Sequence, residues 1–134
     1  MVTCYLGIGS NLGNRRKNIG SALKKINQLD KTRIIKVSRI RETKPVGGPA
    51  CQKKFLNAAL KIQTKLSPLS LLRNLKKIER ELGRTGRYVR YGPRTIDLDI
   101  LFYGDKMVWN KDLQIPHPKI FEREFVLRPL REIL

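Results

Sequence analysis

Apolar residues recur with period two in some stretches of this chain and with helical period in others, and the switches between the two predict its elements. Residues 2–8 are rich in β-favouring side chains and run into Gly-Ser-Asn-Leu-Gly-Asn, which predicts a strand leaving through a turn. Ile19, Ala22, Leu23, Ile26 and Leu29 then recur at helical spacing with basic residues between them, and Asn14 or a neighbour caps that helix. Residues 33–43 form a second strand, and residues 44–54, with Pro-Val-Gly-Gly-Pro inside, form a loop. Phe55–Thr64 alternates: Leu56, Ala58, Leu60 and Ile62 make one face, and Phe55, Asn57, Ala59 and Lys61 the other. Ser67-Pro68 starts a second helix with stripe Leu71, Leu72, Leu75, Ile78 and Leu82, and Gly83 ends it. A glycine-punctuated basic loop, 84–94, leads into an alternating strand at 96–103. Gly104-Asp105 predicts a hairpin turn into a further strand at 106–109, and Pro116, Pro118 and Pro129 break the remainder into short pieces.

The order β-α-β-β-α-β, with an added hairpin strand and a C-terminal tail, predicts one α+β domain over residues 1–134, a ferredoxin-like sandwich with both helices on one face of a largely antiparallel sheet. No internal repeat, linker or low-complexity segment interrupts it. If the aliphatic faces of the third and fourth strands lie under the helices, Ile96, Leu98 and Ile100 point to the core. Phe55, Asn57, Asp97 and Asp99 then share the open face.

Composition adds a bias of charge: 29 basic against 11 acidic residues among 134 give +18. Such a field attracts polyanions, whether nucleic acid or nucleotide phosphates, and charge alone does not choose between them. Lys24, Lys25, Lys76 and Lys77 fall on the helix faces that should meet water. No apolar run approaches the roughly 20 residues of a membrane span. Cys4 and Cys51 make no disulfide framework and no C-x-x-C pair, and Met1 opens straight into a strand, so a cytoplasmic protein is expected.

The chemistry concentrates in one region. Strand period two puts the carboxylates of Asp97 and Asp99 on one side, about 7 Å apart along the backbone, a spacing that suits magnesium held by carboxylates and substrate phosphates. The alternative is a pair of solvated aspartates. The loop before them carries Arg84, Arg87, Arg90 and Arg94, whose guanidiniums suit phosphate oxygens, with a nucleic-acid contact as the alternative. His117 lies between Pro116 and Pro118, which stiffen its backbone, although a lone histidine is more often structural. Tyr91 and Phe125 offer flat surfaces to a planar ligand. The Gly-Ser-Asn-Leu-Gly-Asn turn lacks Walker spacing and is not a P-loop.

Taken in order, G-S-N-L-G-N, E-T-K-P-V-G, F-L-N-A, I-E-R-E-L-G-R, G-P-R-T-I-D-L-D-I-L, I-P-H-P and R-E-F-V-L-R-P-L cover nearly the whole chain. In this the sequence resembles the 6-hydroxymethyl-7,8-dihydropterin pyrophosphokinases of folate biosynthesis. The resemblance implies diphosphate transfer from ATP to the hydroxymethyl group of the pterin, with release of AMP. It implies that Asp97 and Asp99 ligate two magnesium ions, and that Arg84 and Arg94 grip phosphates. Phe55 and Phe125 would sandwich the pterin, with Asn57 and the backbone around Thr43, Pro45 and Val46 reading its edge. Tyr91 stands where a tryptophan is common and keeps a stacking surface for either substrate. Glu79, Ile100, His117 and Arg123 would lie along the nucleotide. Lys76, Asp112, Gln114 and Pro118 depart from residues found in some relatives, so the resemblance carries over the reaction and not the adenine and ribose contacts at those positions. The expected partners are these two small molecules, with no nucleic acid and no membrane, and the expected state is a monomer. The competing class is an RNA-binding module of the same topology, against which stand the missing RNP1 pattern and two aspartates where a phosphate backbone would pass.

Overall fold

The computed structural model describes residues 1–45, 52–83 and 94–134. Its elements are β1 (Val2–Ser10), α1 (Arg15–Asn27), β2 (Thr32–Val37), β3 (Arg41–Thr43), β4 (Phe55–Thr64), α2 (Pro68–Glu81), β5 (Asp97–Tyr103), β6 (Val108–Trp109), β7 (Gln114–Ile115), a 3-10 turn (Ile120–Glu122) and α3 (Glu124–Ile133). The main sheet is antiparallel in the order β2, β4, β1, β5, with β3 also pairing β4. No helix among the described residues is long and apolar enough to cross a membrane.

Both predicted helices form for the predicted reasons. The Asn14 carboxamide accepts the Lys17 N–H at 3.1 Å, and the Ser67 hydroxyl accepts the Ser70 N–H at 3.2 Å with Pro68 at the first helical position. Gly83, at φ +102°, closes α2 with its N–H on Arg80 O, a backbone conformation that L side chains rarely adopt. The stripes of α1 (Ile19, Ala22, Ile26) and α2 (Leu71, Leu75, Ile78) pack on one face of the sheet. There they meet Cys4, Leu6 and Ile8 of β1, Leu56, Ala58, Leu60 and Ile62 of β4, and Leu98 and Ile100 of β5. Burial pushes the Cys4 thiol up to about 12, so it stays protonated and inert.

The expected second strand is two strands. Residues 38–40 oppose only Ala58 and Ala59 between the Val37–Leu60 and Arg41–Asn57 pairs, and the Ser38 hydroxyl accepts the Ala59 N–H at 2.8 Å in place of a ladder carbonyl. The hairpin expected at Gly104 does not return along β5. Gly104 N–H bonds Thr3 O across the end of β1, and β6 pairs with β7 in a separate two-stranded sheet. Asn110 makes that turn by accepting the N–H groups of Asp112 and Leu113.

The tail differs most from expectation. Pro129 lies inside α3 instead of ending it. A proline at the sixth helical position removes one intrahelical bond, to the Phe125 carbonyl. Burial of Leu130 and Ile133, with Ile120, against Ala59 and Leu101 offsets that loss. Ala59 is small enough to admit the helix. Leu101 reaches it by simple alternation, on the face it shares with Asp97 and Asp99, and the register shift of β5 between Ile100 and Phe102, opposite Leu6 and Tyr5, returns Tyr103 to the helix side. The sheet face away from α1 and α2 is therefore half covered, and what stays open is a cleft.

Candidate active site

The cleft has a volume of about 420 Å³. Its floor follows from strand register. Gly9 pairs with Asp97 on one side and Asn57 on the other, and Gly7 pairs with Asp99 and Ala59. Period two therefore brings Gly7, Gly9, Asn57, Asp97 and Asp99 to one face, and all five line the cleft. The glycine at position 9 is required by close approach: a Cβ there would stand 2.8 Å from Asn57 Oδ1. Asn57 in turn donates through Nδ2 to the Thr43 hydroxyl, which fixes its carboxamide across the β3–β4 pair.

Phe55 lines one wall. Phe125 lines another from the first turn of α3, where the Arg123 guanidinium sits 5.5 Å from its ring centroid, within cation–π range. Lys44, Arg94, Lys119 and Arg123 bring four cations to the lining, beside the two carboxylates. Arg94 is 8% exposed. His117 donates its backbone N–H to Leu101 O at 3.1 Å, and its Nδ1 accepts the Lys119 N–H at 3.3 Å. That bond assigns the proton of the neutral ring to Nε2. Burial first, then the positive charge of Arg123, lowers the ring's pKa from its ordinary value, with Asp97 opposing and Lys119 adding to the fall, so the ring is held neutral.

Of the residues singled out by sequence, Thr43, Phe55, Asn57, Arg94, Asp97, Asp99, His117, Arg123 and Phe125 meet in this cleft. Glu79 and Ile100 do not. Both are buried on the helix side of β5, where Glu79 Oε2 accepts the Leu98 N–H at 2.8 Å. Pro45 is half-buried outside the lining. Val46, Arg84 and Tyr91, with Arg87, Arg90 and Cys51, lie outside the described residues. Sequence reasoning missed Gly7, Gly9, Lys44 and Lys119; the alternating glycines of Gly7-Ile8-Gly9 in an otherwise β-favouring strand were the available signal.

The donor set fits magnesium. Two carboxylates share a face, the residues paired with them are glycines with no side chain to fill the space, and cations for phosphates lie around them. Among the described residues no group of three or more His, Cys, Asp or Glu side chains forms a cage, which suits an ion completed by substrate oxygens and water.

Comparison with known proteins agrees with this chemistry. The chain is 47% identical over 133 residues to the 2-amino-4-hydroxy-6-hydroxymethyldihydropteridine pyrophosphokinase of Haemophilus influenzae, covering 99% of this chain and 82% of that one. It is 46% identical over 129 residues to the protein of the same name from Bacillus subtilis, covering 96% and 76%. Among solved structures it is similar to a chain described as HPPK-DHPS in complex with substrates, with a TM-score of 0.71 over 98% of this chain and 40% of that one. At 16% identity this last likeness speaks for the fold alone. Residues 5–134 match the family model of 7,8-dihydro-6-hydroxymethylpterin-pyrophosphokinase, and the chain belongs to that family.

Proposed function

We propose how the cleft performs the pyrophosphokinase activity, in folate biosynthesis, that membership of this family gives the chain. The substrates are ATP and 6-hydroxymethyl-7,8-dihydropterin. The pterin lies between Phe55 and Phe125. Asn57 and the backbone around Thr43, Pro45 and Val46 read its polar edge, and Tyr91 adds a flat surface. The triphosphate lies over Asp97 and Asp99, gripped by Arg84 and Arg94, with His117 and Arg123 along the nucleotide. Glu79 serves the nucleotide from beneath the strand: it holds the Leu98 N–H, and with it the strand that carries both aspartates, while Ile100 anchors the same strand in the helix-side core. The observation that carries this reading is the meeting, in one cleft, of a carboxylate pair, four cations, an amide and two aromatic rings.

In the reaction the hydroxymethyl oxygen of the pterin forms a bond to the β-phosphorus of ATP. The bond from that phosphorus to the α–β bridging oxygen breaks, AMP leaves with the electron pair, and the hydroxyl proton passes to water. Asp97 and Asp99 would hold two magnesium ions, which when bound neutralise charge on the phosphates. The chain's own contribution is positioning and electrostatics. The aromatic pair fixes the hydroxyl, and Arg84 and Arg94 meet charge developing on the diphosphate and on AMP. Neutral His117 offers its Nε2–H as a donor to the nucleotide without adding charge. We read the chain as a monomer that works in the cytoplasm. We read the strand order, with α1 and α2 on one face, as ferredoxin-like. The cover of α3 over Ala59 and Leu101 counts against the RNA-binding alternative, which needs that face open.

Incubation with ATP, magnesium and the pterin, followed by chromatography, tests the reading. AMP and a diphosphorylated pterin in equal amounts are expected. Release of ADP would contradict it.

A further inference from the structure

Asn11 has the geometry of a joint among three strands. It is the first residue beyond β1 and is 1% exposed. Its own N–H donates to Arg94 O at 2.9 Å, and its Oδ1 accepts the Arg94 N–H at 2.7 Å. Its Nδ2 donates to Lys53 O at 3.1 Å and to Gln52 Oε1 at 3.3 Å. Because a backbone N–H and a backbone carbonyl stand at its two ends, the orientation of the carboxamide is unambiguous. β1 is the central strand, flanked by β4 and β5. Regular pairing ends at Ser10–Leu56 on one side and Gly9–Asp97 on the other, so Asn11 continues both junctions with a single side chain.

What it joins matters for the cleft. Arg94 lies three residues before Asp97, and Lys53 two residues before Phe55. We propose that Asn11 is a positioning residue for diphosphate transfer: its carboxamide holds the starts of β4 and β5 at a fixed separation. It thereby sets Arg94 and Asp97, on the phosphate side, against Phe55 and Asn57, on the pterin side, a role that rests on the reaction assigned above. No other side chain of similar size serves both ends. Aspartate keeps the acceptor toward Arg94 and loses both donors toward residues 52 and 53; leucine or alanine loses all three side-chain bonds and keeps only the backbone N–H to Arg94 O.

A merely structural asparagine predicts lower stability with normal chemistry once folded. A positioning role predicts that kcat falls by roughly 10²-fold in Asn11→Ala, the scale of a misplacement near 1 Å, with smaller changes in the two KM values. The test is a double-mutant cycle with Arg94→Ala, assayed well below each variant's unfolding temperature, with amide hydrogen exchange on the same samples. In the Arg94→Ala background, loss of the Asn11 side chain should cost several-fold less than in the wild-type background, because one of the groups it positions is already gone. The Arg94 N–H should lose protection in Asn11→Ala and keep it in Asn11→Asp, while Leu60 stays protected in both as a check on folding. Normal kcat in Asn11→Ala, or the same cost in both backgrounds, overturns the proposal. A wild type that releases no AMP overturns the assigned reaction instead, and the exchange pattern then still decides whether Asn11 joins the three strands.

Discussion

Asp97 and Asp99 share a face because a strand repeats every two residues, and they have room because the residues paired with them across β1 are glycines. Replacing either by alanine should lower kcat by at least about 10²-fold, since a lost metal ligand removes several kcal/mol of charge stabilisation. Thermal unfolding should change little; turnover within tenfold of normal would mean that the pair is only solvated. Gly9 makes a sharper prediction. A methyl group there collides with Asn57 Oδ1, and Asn57 cannot move without giving up the Thr43 hydroxyl. Gly9→Ala should therefore weaken pterin binding by about tenfold or more, equivalent to about 1.4 kcal/mol or more, and leave ATP binding nearly intact, which calorimetry with each ligand alone resolves. His117 gives a pH dependence. Its folded pKa is depressed, so below its unfolded value of about 6.5 the unfolded chain takes up a proton that the native ring resists. Its contribution to stability is complete above that value and is lost as pH falls toward the folded pKa. Denaturant midpoints measured from pH 7.5 to 5 should fall more steeply in wild type than in His117→Gln, and parallel curves would contradict this. The aspartates, Asn57 and Phe55 were legible in sequence because alternation is a local property. The glycine floor was not, since its meaning lies in what pairs with it.

At the scale of elements, α1, α2, β4 and β5 could be read from periodicity and caps because local signal and tertiary burial agree. Three features could not. The Ser38 break depends on a hydroxyl reaching a neighbouring strand, and the partner of β6 depends on the turn that Asn110 makes. α3 depends on an apolar patch around Ala59 and Leu101, which exists only once β4 and β5 have paired with β1. α3 also carries Phe125, and Glu132 near its other end pairs with Arg41 Nη2 at 2.7 Å, so the helix is pinned to β3 beside the cleft. Leu130→Ala should destabilise the fold by about 2–4 kcal/mol and also weaken pterin binding, because it loosens the element that presents Phe125. Leu75→Ala on α2, just as buried, should cost comparable stability with pterin affinity unchanged in the folded fraction. Equal effects on pterin binding from the two variants would show that α3 has no special hold on the site.

Over the whole molecule, two groups of cations stand out among the described residues of this +18 chain. Lys24, Lys76 and Lys77 are exposed on the helix side as the periodicity predicts, and Lys25 joins α1 to α2 through Glu81 at 2.9 Å. Lys44, Arg94, Lys119 and Arg123 lie on the opposite side, around the cleft, where a polyphosphate would sit. The molecule thus has a packed half, with α1 and α2 on the sheet, and a working half, with α3 beside a cleft on the other face. The central claim is that this cleft moves the β- and γ-phosphates together. It is tested most directly with ATP radiolabelled at the β-phosphorus, in a single turnover with magnesium and 6-hydroxymethyl-7,8-dihydropterin. The account predicts that the label appears on the pterin, with unlabelled AMP formed in equal amount, and that neither appears when Asp97 and Asp99 are both replaced by asparagine. Label retained in ADP, or released as free diphosphate with the pterin unchanged, would contradict it.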